Sequence, residues 1–178
     1  YKNGTPVQSY NEKNAFKETA GGYGSGYCYI DGLAFDKNGN LWMTSSEVNH
    51  AVLVLDKAGA WHRLDIEQLR GVYTINDILI TSTNDKWIYV PRNTPKLVMI
   101  PNSESLDEVS SYEFTTLIDT DGKELTPSNY TCVAEDKDGY IWVGTNRGAV
   151  YFTKPRISSA EDKAATRCTR VKYTNCLL

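Results

Sequence analysis

Acidic turns, cysteines, histidines and a set of tyrosines and arginines are the residues of this chain with side chains suited to chemistry. The turns Asp36-Lys37-Asn38-Gly39, Asp119-Thr120-Asp121-Gly122 and Asp136-Lys137-Asp138-Gly139 place carboxylates close together, as a calcium loop would. Calcium, however, takes about six to eight oxygens, and an EF-hand loop closes on a bidentate Glu about twelve positions after its first ligand. Here each turn runs on into an apolar strand, so the expected role is structural and no metal is expected. The cysteines Cys28, Cys132, Cys168 and Cys176 form no CxxC pair, and His50 and His62 lie far from them in sequence. Zinc needs tighter ligand spacing. Independent thiols are the leading expectation, with Cys132 a small buried one. A Cys168–Cys176 disulfide is the alternative, so cysteine usage leaves the redox compartment open.

Catalytic motifs are missing. There is no Gly-x-Ser-x-Gly elbow, no HExxH and no phosphate loop ending in Gly-Lys-Ser or Gly-Lys-Thr. Gly22, Gly24 and Gly26 do not make GxGxxG, because Tyr27 takes the third glycine's place. Neither histidine has a nucleophile beside it. The chain therefore reads as a non-enzyme with no cofactor. A net charge of -3 gives no general attraction to nucleic acid. No apolar run approaches the roughly 20 residues that cross a bilayer. The start at Tyr1 carries neither an initiator Met nor a signal sequence, which reads as a mature or excised segment and leaves targeting open.

The elements that would position these residues come from an internal repeat. Ile30 to Phe35 leads into Asp36-Lys37-Asn38-Gly39 and Trp42, Ile75 to Ile80 into Thr83-Asn84-Asp85 and Trp87, and Tyr130 to Glu135 into Asp136-Lys137-Asp138-Gly139 and Trp142. From Trp42 to Trp87 is 87 − 42 = 45 residues, and from Trp42 to Trp142 is 142 − 42 = 100. Periods near 45 residues mark four-stranded propeller blades. In each unit a short apolar strand meets a tight polar turn, then the Trp strand. Third strands follow at 51–55, 97–100 and 149–152, and fourth strands at 61–64, 112–116 and, less clearly, 170–173. The recurrence of the Trp at one strand position points to packing between blades rather than to sugar stacking.

The expectation is an all-β propeller segment: residues 1–10 as the last strand of a preceding blade, then blades over 30–65, 75–118 and 129–173. Short helices belong in the connectors: 14–20 before Gly21-Gly22, 66–70 capped by Asp65, and a helical insert near 158–167. The Gly- and Tyr-rich stretch 21–29 reads as a loop. Propellers close with about four to eight blades, so three and a fraction imply a part of a larger ring. Unpaired blade faces and strand edges predict self-association of the segment alone.

In this topology the blade-to-blade connectors and the hairpins between second and third strands emerge at one end. That end collects Tyr23, Tyr27, Tyr73 and Asn129 from connectors, and Arg92 and Arg147 from hairpins. Amphipathic rings and planar guanidinium forks suit sugars, especially carboxylated or phosphorylated ones. Separately, 154–172 holds Lys154, Arg156, Lys163, Arg167, Arg170 and Lys172 against Glu161 and Asp162. This reads chiefly as a solvated face, with an anionic partner the alternative.

The run from Tyr130 to Gly148 closely resembles the two-component-regulator propeller repeat: an apolar strand into Glu135-Asp136, a charged turn with Gly139, the Ile141-Trp142 pair, then Gly144-Thr145 before a Gly-containing hairpin. The first repeat departs after Trp42, with Met43-Thr44-Ser45 in place of Gly-Thr, and the second lacks the turn glycine. The resemblance implies an extracytoplasmic protein of a Bacteroidetes-type bacterium, at the periplasm or outer-membrane surface, in one of two settings. One is the sensor half of a hybrid histidine kinase, which detects glycan fragments in signal transduction. The other is a PorZ-like surface protein of the type IX secretion system, with a lipopolysaccharide-like ligand or protein partners.

Overall fold

The computed structural model describes residues 4, 5, 8–11, 13–16, 18 and 27–171. The expected strand at 1–10 and the tail after 171 therefore fall largely outside the described residues, as do Tyr23 and Cys176. Three antiparallel four-stranded meanders carry the fold, each with its strands in spatial order one to four. The first comprises β1 (Gly32–Phe35), β2 (Leu41–Thr44), β3 (Val52–Leu55) and β4 (Trp61–Leu64). The second comprises β5 (Ile78–Ile80), β6 (Lys86–Val90), β7 (Lys96–Ile100) and β8 (Tyr112–Phe114). A small hairpin, β9 (Leu117–Ile118) with β10 (Glu124–Leu125), precedes the third blade. That blade comprises β11 (Tyr130–Glu135), β12 (Ile141–Thr145), β13 (Gly148–Phe152) and β14 (Cys168–Arg170). The chain is an all-β propeller segment.

Equivalent pairings confirm that the repeat is structural. Ala34 faces Trp42, Leu79 faces Trp87, and Ala134 faces Trp142. Because side chains alternate along a strand, each Trp points toward the following blade. Trp42, Val52 and Val54 pack with Ile78, Ile88, Val98 and Ile100 in one core. Trp87, Leu97 and Met99 pack with Ile141, Val143, Val150 and Phe152 in the next. Trp42 and Trp87 are each 1% exposed, whereas Trp142 stays half-buried against Tyr151 at 4.9 Å. At the other open face, Leu33 and Phe35 point away from the second blade and are 58% and 69% exposed.

The turn that joins the first two strands of a blade explains the Asp-x-x-Gly motif. Asp36 Oδ1 accepts the amides of Asn38 and Asn40, and Gly39 takes φ 85°, a left-handed value that costs glycine little. The same turn recurs at Asp56, Asp119 and Asp136. In the second blade Thr81 replaces the Asp and Asn84 the Gly, with Thr81 Oγ1 accepting the Asp85 amide.

Several expectations need correction. Cys132 is exposed, not buried. Its counterpart Gly32 is pressed by the next blade: a β-carbon there would stand 2.8 Å from the Ile78 nitrogen. No described blade follows the third, so Cys132 has nothing to bury it. Asp65 does not cap; Ile66 is the N-cap of a 3-10 turn over Glu67–Leu69, and Asp65 pairs with Arg70 instead. The last strand begins at Cys168, two residues before the expected start at Arg170. The hairpin β9–β10 has no counterpart in the expected strands, because two-residue strands carry little periodicity. Residues 13–15 form a turn, not the first part of a helix. The insert expected near 158–167 is α1 (Ala160–Ala165), with the Ser159 hydroxyl accepting the Asp162 amide.

Candidate functional site: the connector end

The antiparallel order places connectors and second hairpins at one end of the segment. Here the connector after β4 is stitched to the hairpin before β3, with the Glu47 amide donating to the Val72 carbonyl at 2.8 Å and Gly71 to Val48 at 2.9 Å. The Tyr130 amide ties the next connector to Pro91 at 3.0 Å. Backbone bonds thus make this end a continuous surface rather than a set of loose loops.

A cleft of ≈ 680 Å³ opens between the 3-10 connector and the β6–β7 hairpin, walled by Gln68, Arg70, Tyr73, Asn93, Thr94 and Lys96. Tyr73 is 61% exposed at its mouth. The Lys96 ammonium donates to the Gln68 carbonyl at 3.1 Å and pairs with Glu113 at 2.6 Å, which fixes one wall.

Of the expected ligand residues, Tyr73 lines this cleft, while Arg92 sits exposed on the same hairpin beside it. Asn129 and Arg147 belong to a second cluster. Asn146 clamps the approach to β11, accepting the Ser128 and Asn129 amides at 3.0 and 3.2 Å, and Arg147 is exposed beside it. The Asn129 side-chain oxygen is buried and unpartnered. Tyr27, ahead of β1, is 57% exposed, and Tyr23 lies outside the described residues. The expected set is therefore dispersed over several places, not gathered around one point. Sequence reasoning missed Gln68, Asn93 and Lys96, since only the packing of the 3-10 turn against the hairpin brings them together.

The basic segment divides in a similar way. Arg170 pairs with Asp119 at 2.8 Å, Lys163 lies 5.5 Å from the Phe114 ring centre, and Arg167 donates to the carbonyls that end α1. Lys154 and Arg156 instead line a cleft at the opposite end. Lys172 lies outside the described residues.

The carboxylates of the turns are engaged in holding the fold. For Asp136, the Trp142 indole N–H, followed by the turn amides, holds the carboxyl below its usual range. For Asp36, burial pushes the value up, but the bonds from Trp42 and Asn40 outweigh it and the net shift is downward. Among the described residues no group of three or more His, Cys, Asp or Glu is arranged to hold a metal ion. Cys168 is a buried free thiol, raised first by desolvation and then by the Asp119 charge.

Comparison with known proteins agrees with the fold. The family model for the two component regulator propeller matches residues 124–147, the third repeat through its Trp strand. Among solved structures, PorZ, a surface component of the type IX secretion system of Porphyromonas gingivalis, superposes with a TM-score of 0.80 at 16% identity. The match covers 96% of this chain and 23% of that one. The extracellular domain of a hybrid two component system from B. thetaiotaomicron gives 0.53 at 17% identity, over 82% of this chain and 17% of that one. Catalytically inactive virginiamycin B lyase from Staphylococcus aureus, bound to quinupristin, gives 0.54 at 14% identity, over 83% of this chain and 42% of that one. The chain thus spans about a quarter or less of the first two structures it matches. No curated protein sequence matches it.

Proposed function

We propose that this chain is a non-enzymatic, extracytoplasmic propeller segment that binds a glycan at its connector end. The observation that carries the reading is the ≈ 680 Å³ cleft beside Tyr73. Its volume lies in the range of small-molecule sites, and an exposed ring flanked by amide, lysine and arginine groups suits a sugar's apolar face and hydroxyl edge. The likeness to the extracellular domain of a two component system supports the location. A glycan array on the complete protein tests the reading, followed by titration of Tyr73→Ala and Arg147→Ala. Tyr73→Ala should weaken the best ligand about tenfold or more, given the weight of one aromatic stacking contact. Unchanged affinity in both variants would remove this end from consideration.

A second reading is favoured by the superposition over 96% of the chain on PorZ. In it, the segment docks protein partners or further blades through its open faces, at Leu33 and Phe35 on one side and Trp142 and Tyr151 on the other. Sedimentation at several concentrations bears on this: the chain alone should self-associate, and Phe35→Lys should reduce it. The gene's flanking sequence separates the readings, since a membrane helix leading to kinase motifs favours the sensor and a C-terminal sorting domain favours the secretion component.

A further inference from the structure

In each of the four turns built on an Asp the carboxylate has two tasks. One oxygen accepts the turn amides, and the other meets a nitrogen group: Trp42 Nε1 on Asp36 at 2.9 Å, His62 Nε2 near Asp56 at 3.2 Å, Trp142 Nε1 on Asp136 at 2.8 Å, and Arg170 at Asp119 as an ion pair at 2.8 Å whose Nε–H makes no hydrogen bond. The second blade breaks the pattern. Thr81 has a single side-chain oxygen, which accepts the Asp85 amide at 3.0 Å and meets Thr83 Oγ1 at 2.9 Å. Neither contact involves Trp87. Among the described residues its indole N–H has no hydrogen-bond partner, although the side chain is 1% exposed. The nitrogen itself is not sealed off, so this donor is open to an acceptor from outside the chain.

Trp87 and Thr81 both line a cleft of ≈ 300 Å³ between the second and third blades, at the end opposite the connectors. The repeat geometry directs the indole N–H toward Thr81, hence toward that cleft. Lys137, Lys154 and Arg156 stand around it, and none of the three forms an ion pair among the described residues. Lys154 holds φ 45°, a left-handed value rare for a residue with a β-carbon, which lays its side chain across Gly139. Three carboxylates also face the cleft. Glu135 is occupied by the amide and hydroxyl of Ser82, and Asp85 by the Asn102 amide and the Thr83 hydroxyl. Asp138 is exposed at the rim.

We infer that this cleft binds a small carboxylate, whose oxygen accepts the Trp87 indole N–H in the place that Asp36 and Asp136 fill in the other blades, with Lys154 and Arg156 neutralising its charge. The donor comes from the protein and the acceptor from the ligand, so the interaction is charge-assisted and selective against neutral analogues. The site is independent of the connector-end cleft.

The test is a titration of the chain with glucuronate, and with glucose as its neutral counterpart, followed through the four indole N–H resonances in nitrogen–proton correlation spectra. Trp87→Phe assigns the relevant peak. Glucuronate should shift the Trp87 indole proton downfield and glucose should not; Lys154→Gln with Arg156→Gln should weaken the response about tenfold. Acetate and methyl glucuronoside separate a requirement for the carboxylate alone from one for a sugar acid at a chain end. Thr81→Asp provides the decisive variant: it restores the internal carboxylate, should move the free Trp87 resonance toward those of Trp42 and Trp142, and should abolish the glucuronate response. A Trp87 resonance unmoved by every carboxylate, moved equally by glucose, or still responsive in Thr81→Asp would overturn the proposal.

Discussion

Trp42 donates its indole N–H to Asp36 Oδ2 at 2.9 Å, across a turn whose amides occupy the other oxygen of the same carboxylate. One side chain therefore shapes the hairpin between β1 and β2 and sets the ring that meets the next blade. Local turn chemistry and blade-to-blade packing are the same interaction seen from two sides.

Replacing Asp36 by Ala strands the Trp42 indole, the Asn38 and Asn40 amides and the Asn40 side chain. The loss should be about 2–3 kcal/mol, from buried donors left without acceptors. A lower denaturant midpoint at constant slope would show it. A midpoint equal to the parent's would mean that water replaces the carboxylate without cost.

Acid should unfold the segment through the same turns. Asp136 is held low first by the Trp142 bond, Asp119 first by the Lys123 amide, and Asp36 by bonds that outweigh its burial. Folded values below the unfolded ~3.9 mean that the native state binds fewer protons, so this stability is present above about pH 4 and lost as pH falls through the folded values. Melting temperatures from pH 6 to 2.5 should drop most steeply below pH 4. Asp36→Asn combined with Asp136→Asn should flatten that drop.

Lys86 is 2% exposed, with its ammonium 4.4 Å from the centre of the Trp42 ring. Desolvation lowers its pKa, against the pull of Asp36 and Asp85. The folded value lies below the unfolded one near ~10.4, so the native state binds fewer protons between them and stability rises with pH through that window. Lys86→Met, apolar like Leu41 and Ile141 at the equivalent positions, should gain about 1 kcal/mol at pH 7. It should also lose the alkaline rise, as paired melts from pH 7 to 10 would record. A destabilised Met variant would make the cation–ring contact the dominant contribution.

Gly32 and Cys132 occupy the same place in their blades, yet one is closed in and the other open. Gly32→Ala should lower stability by about 1–3 kcal/mol, because a β-carbon would meet backbone of Asp77 and Ile78 that cannot swing aside. A thiol reagent should modify Cys132 quickly and Cys168 only on unfolding, since burial holds the Cys168 thiol protonated. Equal rates at the two would contradict the packing.

The architecture was legible because its signal is repeated. Three Trp at equivalent positions, with turn residues at a fixed distance before them, report strand, hairpin and blade period together. The Asp36–Trp42 relation was also visible, six residues apart and repeated at Asp136–Trp142, as was its break at Thr81; side-by-side reading of the repeats would have found both. Cys132 departs from the expected burial because burial depends on the neighbouring blade, which a residue's own strand does not encode. The connector-end set was dispersed for a related reason: topology fixes the end at which a loop emerges, and the packing of Glu67–Leu69 against the β6–β7 hairpin decides which side chains share a cleft.

The ammonium beneath Trp42 gives the blades an order as well as a fold. The rear face of the second blade carries a charge, and Asp36 in front of it supplies an answering one; the turn before Trp87 has Thr81 at that place. The Ile141 face of the third blade carries no such charge. The two junctions are therefore cut to different keys, although their backbones repeat. A gene that duplicated the second blade in tandem would create a seam in which Lys86 faced a turn with no carboxylate at the Asp36 position. The sequence thus assigns each blade a place in the series.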